Sequence, residues 1–240
     1  MSVFTGISSM TGVSTITNTS TGIVTSGLVL HLDAGNAASY TGSGTTWTDL
    51  SGNSNTGILT NGPTYNSADG GYISFDGTND FVSLGRPASL AALFGTSAVS
   101  VDFWVKRSAN IGGQKIIFDS GVNECIQLDI ISNQLAFMII TGGVYTRSGR
   151  TSTLTQDVWY NFTGVYNGTN ITTYLNSTQS SQVAKTGTIS TDSGSFYIGQ
   201  YPGGAYYFTG GVATVKIYNI ALSAAEVTQN YNALRARYGL

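Results

Sequence analysis

Apolar and polar residues alternate along most of this chain. Val99, Val101, Phe103 and Val105 interleave with Ser100, Asp102, Trp104 and Lys106, the period of two expected of a strand with one face on a core. The same reading predicts a first strand over 27–33, and further strands around 115–119, 125–131, 134–141 and 143–147. Strands over 159–166, 170–176, 195–199, 206–208 and 211–218 complete the set. Two alternating runs within 72–84 flank Asp76-Gly77, and Asp-Gly between such runs predicts a hairpin. Turn signals fall at Gly42-Ser43-Gly44, Ser51-Gly52-Asn53 and Asn61-Gly62-Pro63. About a dozen short strands at close spacing predict an antiparallel sandwich or jelly roll.

The period changes at two places. Residues 88–94, after Arg86-Pro87, predict one or two helical turns. Near the end, Ser223 and Glu226 have the spacing of a capping box, in which each side chain satisfies a backbone N–H of the first turn. Val227, Tyr231, Leu234 and Tyr238 then form one apolar stripe, suited to lying on a larger body. Arg235 and Arg237 stand where the helix dipole favours cations, and Gly239 can close the helix.

Composition narrows the class of protein. Charged residues make up only 9% of the chain, against about 25% in ordinary soluble domains. The net charge of −2 leaves no basic footprint for nucleic acid. No apolar run is long enough for a membrane-crossing helix, and the start lacks a secretory pattern. A near-neutral surface of hydroxyls and amides suits a protein held in an assembly or outside a cell. Residues 1–26 are Ser, Thr and Gly with isolated apolar residues. They read either as a disordered leader or as an extended arm that pairs with a neighbouring chain. The arm is the preferred reading, which divides the chain into 1–26 and a body over 27–240.

Chemistry is sparse. His31 and Cys125 are the only His and Cys, so neither a zinc site nor a His-dependent triad can be assembled. Cys125, in an apolar run, reads as a buried and inert thiol. The five Asn-x-Ser/Thr sequons, beginning at Asn18, Asn161, Asn167, Asn170 and Asn176, are expected from chance in so Asn- and Thr-rich a chain. Glu124 and Glu226 are the only glutamates. Glu226 belongs to the cap, and an odd separation from Asp129 would put Glu124 on the opposite face of one strand. No glycosidase-type carboxylate pair follows, and no catalytic residue is expected. Asp33, Asp49, Asp76, Asn79, Asp80 and residues 53–55 could offer oxygens to calcium. Asp76 and Asp80 are equally turn formers, and no metal or cofactor is expected.

The order of motifs carries a resemblance. Leu30-His31-Leu32-Asp33-Ala34-Gly35-Asn36, then Asp49-Leu50-Ser51-Gly52-Asn53-Ser54-Asn55-Thr56-Gly57, Phe75-Asp76-Gly77-Thr78-Asn79-Asp80, Phe103-Trp104-Val105 and Trp159…Tyr166-Asn167-Gly168…Tyr174-Leu175-Asn176 lead to the capped ending. Over about 28–240 this resembles laminin-G-like domains of the concanavalin A-like lectin/glucanase superfamily. The resemblance implies an all-β fold: a two-sheet antiparallel jelly-roll sandwich with a short C-terminal helix, here preceded by the extended N-terminal arm. Many relatives carry a calcium-binding Asp in the last strand, where this chain has Ala213. Trp104 and Trp159 are expected to fill the space between the sheets rather than to carry sugar.

Domains of this flavour are similar to those of tailed-phage structural proteins. The function this implies is that of a non-enzymatic virion protein on a capsid or tail fibre. Its arm would dock on a major capsid or tail protein, and cyclic symmetry makes a homo-oligomer, a trimer, the expected state. The alternative is a carbohydrate-binding adhesin. For that role Tyr145 and Arg147, with Tyr201, Tyr206 and Tyr207, combine aromatic faces with polar groups. The same residues read equally as an inter-subunit contact.

Overall fold

The computed structural model describes residues 22–240, so most of the expected arm, residues 1–21, lies outside the described residues. In chain order the strands are β1 (Leu28–Asp33), β2 (Thr46–Trp47), β3 (Gly57–Thr60), β4 (Thr64–Asn66), β5 (Tyr72–Asp76), β6 (Phe81–Gly85), β7 (Val99–Arg107) and β8 (Lys115–Asp119). They continue as β9 (Ile126–Ile131), β10 (Gln134–Thr141), β11 (Val144–Arg147), β12 (Tyr160–Tyr166), β13 (Asn170–Leu175), β14 (Thr178–Ala184), β15 (Phe196–Ile198) and β16 (Thr209–Tyr218). The helices are α1 (Ala88–Ala91) and α2 (Ala224–Leu234), the latter prolonged by a 3-10 turn over Arg235–Tyr238.

Two eight-stranded antiparallel sheets form the expected jelly-roll sandwich. The first runs β14-β13-β12-β7-β16-β5-β4, with β1 also on β16. β5 and β1 share one side of β16 end to end: β5 pairs with Thr209–Val212 and β1 with Thr214–Tyr218. Ala213 falls at the irregularity between them. The second sheet runs β11-β10-β9-β8-β15-β6-β3-β2. Between the sheets lies one apolar core that includes Leu32, Trp47, Phe75, Phe103, Phe118, Phe137, Phe162 and Phe196. Gly164 on β12 permits the sheets to approach, since a Cβ there would stand 2.5 Å from Phe137.

The expected hairpin over 72–84 is not formed. β5 belongs to the first sheet and β6 to the second, so the chain arches across the core instead of folding back in plane. Ile73 and Phe75 thereby meet Val82 and Leu84 within one core. The Asp-Gly corner remains a turn: Asp76 Oδ1 accepts from the Thr78 N–H at 2.7 Å, and Asp80 Oδ2 accepts from the Asp76 N–H at 3.0 Å. Alternation alone could not distinguish the two, because both arrangements bury one side of each run. Residues 206–208 also depart from expectation, making only an isolated bridge from Tyr207 to Ile116 rather than a strand.

The outer face of the first sheet is sealed. The capping box starts α2 as predicted, with Ser223 Oγ accepting from the Glu226 N–H and Glu226 accepting from the Ser223 N–H. Val227 packs with Val24, Val165, Tyr174, Tyr218 and Leu222. Tyr231, Leu234 and Tyr238 pack on Tyr72, Trp104, Trp159 and Ala213. Trp104 and Trp159 are therefore buried as expected, but under the helix, not between the sheets. The Trp104 and Tyr238 rings stack with centroids 4.1 Å apart. Beneath the helix, Lys216 Nζ meets Asp102 Oδ1 at 2.6 Å, both side chains wholly buried. The other Asp102 oxygen accepts from Thr163 and Asn161. Arg237 forks onto Asp33 at 2.7 and 3.0 Å and ties the 3-10 turn to β1. Residues 22–24 dock on the same side, where Val24 N donates to Asn230 Oδ1 and Tyr218 donates to the Val24 carbonyl.

Candidate functional site

Among the described residues no helix covers the outer face of the second sheet, and β9 and β10 alternate across it. Leu128, Ile130, Phe137 and Ile139 join the core, so Gln127, Asp129, Met138 and Ile140 turn outward. Register aligns Asp119, Gln127, Met138 and Arg147 as one rung across β8, β9, β10 and β11. Tyr145 stands opposite Ile140 on a neighbouring rung. A cleft of about 270 Å³ lies here. Met138 and Ile140 form its apolar floor, Tyr145 and Arg147 one wall, and Gln114, Asn123 and Glu124 the other.

Glu124 corrects an expectation. It precedes β9 and has φ 54°, so strand parity does not govern it and it comes to the same face as Gln127 and Asp129. Its Oε2 accepts from Gln127 Nε2 at 3.1 Å. Tyr201 lies beside it, and the nearby Glu124 carboxylate pushes the Tyr201 phenol up to about 12.

Below the cleft runs a buried polar row. Asp129 meets Arg147 Nη2 at 2.7 Å and Arg150 Nη1 at 3.8 Å, and accepts from Gln114 Nε2 at 2.9 Å. Burial nonetheless raises its carboxyl above the ordinary range. Asp119, wholly buried, accepts from Gln127 Nε2 at 2.6 Å and from the Gly121 N–H at 2.9 Å. Burial pushes it up to about 8, so it is mostly protonated at neutral pH.

Of the residues singled out in the sequence, Tyr145 and Arg147 line the cleft. Tyr201 touches its rim through Glu124. Tyr206 packs edge-on against Tyr201 with centroids 5.7 Å apart, and Tyr207 bridges to Ile116 without lining the cleft. Sequence reasoning missed Gln114, Asn123, Glu124, Met138 and Ile140. The signal available was the polar side of β9, where Gln127 and Asp129 interrupt an otherwise apolar run.

The oxygens considered for calcium are engaged locally. Asp49 accepts from the His31, Ser51 and Asn55 N–H groups, and Asp33 holds Arg237. Among the described residues no cluster of three or more His, Cys, Asp or Glu is placed to hold a metal ion. Cys125 is buried, its thiol pushed up to about 12 by desolvation. His31 is pushed down to about 4, chiefly by burial.

A family model described as concanavalin A-like lectin/glucanases superfamily matches residues 76–228, more than half of the chain. No curated protein sequence matches it. Among solved structures, the receptor-binding domain of botulinum neurotoxin C/D mosaic serotype superposes with a TM-score of 0.69 at 15% identity, over 87% of this chain and 51% of that one. The binding domain of Paraclostridial Mosquitocidal Protein 1 gives 0.69 at 19% identity, over 86% and 52%. A structure of botulinum neurotoxin type C, whose cell entry depends on interaction with two ganglioside molecules, gives 0.67 at 16%, over 87% and 51%. The chain thus spans about half the length of each, and at these identities the likeness is one of fold.

Proposed function

The chain belongs to the concanavalin A-like lectin/glucanases superfamily, and from that membership we propose that it is a non-catalytic glycan-binding domain whose sugar sits in the cleft of the second sheet. One observation carries the reading: an exposed aromatic ring, Tyr145 at 66% exposure, stands over an apolar floor and faces amide and carboxylate groups. An aromatic face covers the C–H side of a sugar ring, while amides and carboxylates bond its hydroxyls. The volume, near the lower end of the roughly 300–1,000 Å³ of ligand sites, fits one ring better than a long chain. One structural neighbour depends on gangliosides for cell entry, so this fold can present a glycan site, whatever the class of sugar.

Non-catalytic chemistry follows from the carboxylates. Asp129 is buried and held by Arg147, Arg150 and Gln114, and Asp119 is sealed beneath the floor. Glu124 is the one carboxylate that lines the cleft, and bond cleavage on this pattern needs two. Tyr145→Ala should weaken glycan binding about tenfold or more, as loss of an aromatic anchor does, with the melting temperature unchanged. A glycan array that stays silent for the wild-type chain would overturn the reading.

The setting is a virion, on a capsid or tail fibre and assembled as a trimer. Low charge supports it, as does the docking of residues 22–24 on the helix-covered face, away from the cleft. Deleting residues 1–21 should leave a folded sandwich that no longer joins particles; undiminished incorporation counts against the setting.

A further inference from the structure

We infer that the cleft selects uncharged, hydroxyl-bearing sugar rings and rejects sugars that carry a carboxylate or sulfate, because Glu124 lines it while the one guanidinium in the lining, Arg147, is paired with Asp129. The inference rests on the cleft being the sugar site.

Two guanidiniums lie near, and both already face the Asp129 carboxylate. Arg147 lines the cleft, but its Nη2 is 2.7 Å from Asp129, whose charge offsets its own. Arg150 divides its Nη1 between Asp129 and the Gln134 carbonyl, and does not line the cleft. Lys185 donates to the Val144 carbonyl at 2.7 Å and likewise stands outside the lining. Glu124, by contrast, accepts from the neutral amide of Gln127 and forms no ion pair among the described residues. A bound carboxylate would share a partly desolvated space with Glu124, where like charges a few ångströms apart repel strongly. A hydroxyl meets the opposite: a carboxylate acceptor, the Asn123 and Gln114 amides and the Tyr145 face.

The raised carboxyl of Asp119 agrees with this geometry, since Glu124 and Asp192 add repulsion to the effect of its burial.

The test is calorimetric titration of the full chain with matched pairs: methyl galactoside against methyl galacturonide, methyl glucoside against methyl glucuronide, and lactose against sialyllactose. The neutral member of at least one pair should bind, with its acidic partner at least about tenfold weaker in low salt. In Glu124→Gln that gap should close, and in wild type it should narrow as salt screens the repulsion. Equal or tighter binding of the acidic members would overturn the inference while leaving glycan binding intact. Persistence of the gap in Glu124→Gln, with an unchanged melting temperature, would also overturn it. Binding of neither class would overturn both this inference and the glycan-binding function.

Discussion

The two outer faces of the sandwich start from the same geometry and end differently. Both present alternate residues of antiparallel strands, and both bury a carboxylate paired with a cation. On the first sheet the pair, Asp102 with Lys216, lies wholly enclosed below α2. On the second, Asp129 is equally buried, but its partners Arg147 and Arg150 remain partly exposed at the edge of a cleft. What separates them is the last stretch of the chain. It lays Val227, Tyr231, Leu234 and Tyr238 over one face and leaves the other to solvent. A covered face turns its polar groups to structural use, whereas an open one keeps Asn123 and Glu124 at the lining of a cleft.

That contrast can be broken most severely at Asp102. Asp102→Ala strands the Lys216 ammonium, wholly buried, without its counter-charge, and loss of one partner of a buried pair costs about 3–5 kcal/mol. Urea denaturation should show this loss, and Asp102→Leu combined with Lys216→Met should regain most of it. Sugar affinity of whatever fraction stays folded should not change. If Asp102→Ala altered affinity at constant fold, the faces would not be independent.

The open face has its own signature in pH. Asp119 binds its proton more tightly when folded, about 8 against an ordinary 3.8. The folded state therefore holds the extra proton between those values, and stability must fall as pH rises through that window. Its contribution is complete below pH about 4 and lost above about 8, with a slope of at most about 1.4 kcal/mol per pH unit. Unfolding free energies from urea titrations should decline with this slope from about pH 5 towards 8 and level off above it, and Asp119→Asn should flatten the curve. A smaller effect belongs to the cap. Ser223→Ala should destabilise the covered face by about 1 kcal/mol, read from the urea midpoint, with affinity untouched.

Much of this was legible in the sequence, and the failures share a cause. Strands with one apolar side, such as β7 and β12, declare themselves by alternation. β14 does not: Thr178–Ala184 is polar and largely exposed, an edge strand held by backbone pairing to β13. The helix cap was readable because it is local. Trp104 was assigned to burial correctly and to the wrong layer, because alternation says that a residue faces away from its neighbours, not what covers it. Glu124 was misplaced for a reason of backbone: a left-handed residue before a strand escapes the rule of two. The cleft itself gathers side chains from residues 114 to 147, and only the register of β8 through β11 puts them side by side.

Both described ends of the chain lie on the helix side: Val24 is fastened to Asn230, and Leu240 N donates to the Arg235 carbonyl. Copies tethered through either end would thus turn their clefts outward together. Weak single-site recognition would then be multiplied by high effective concentration, and an array could grip a surface by avidity where one domain would slip off.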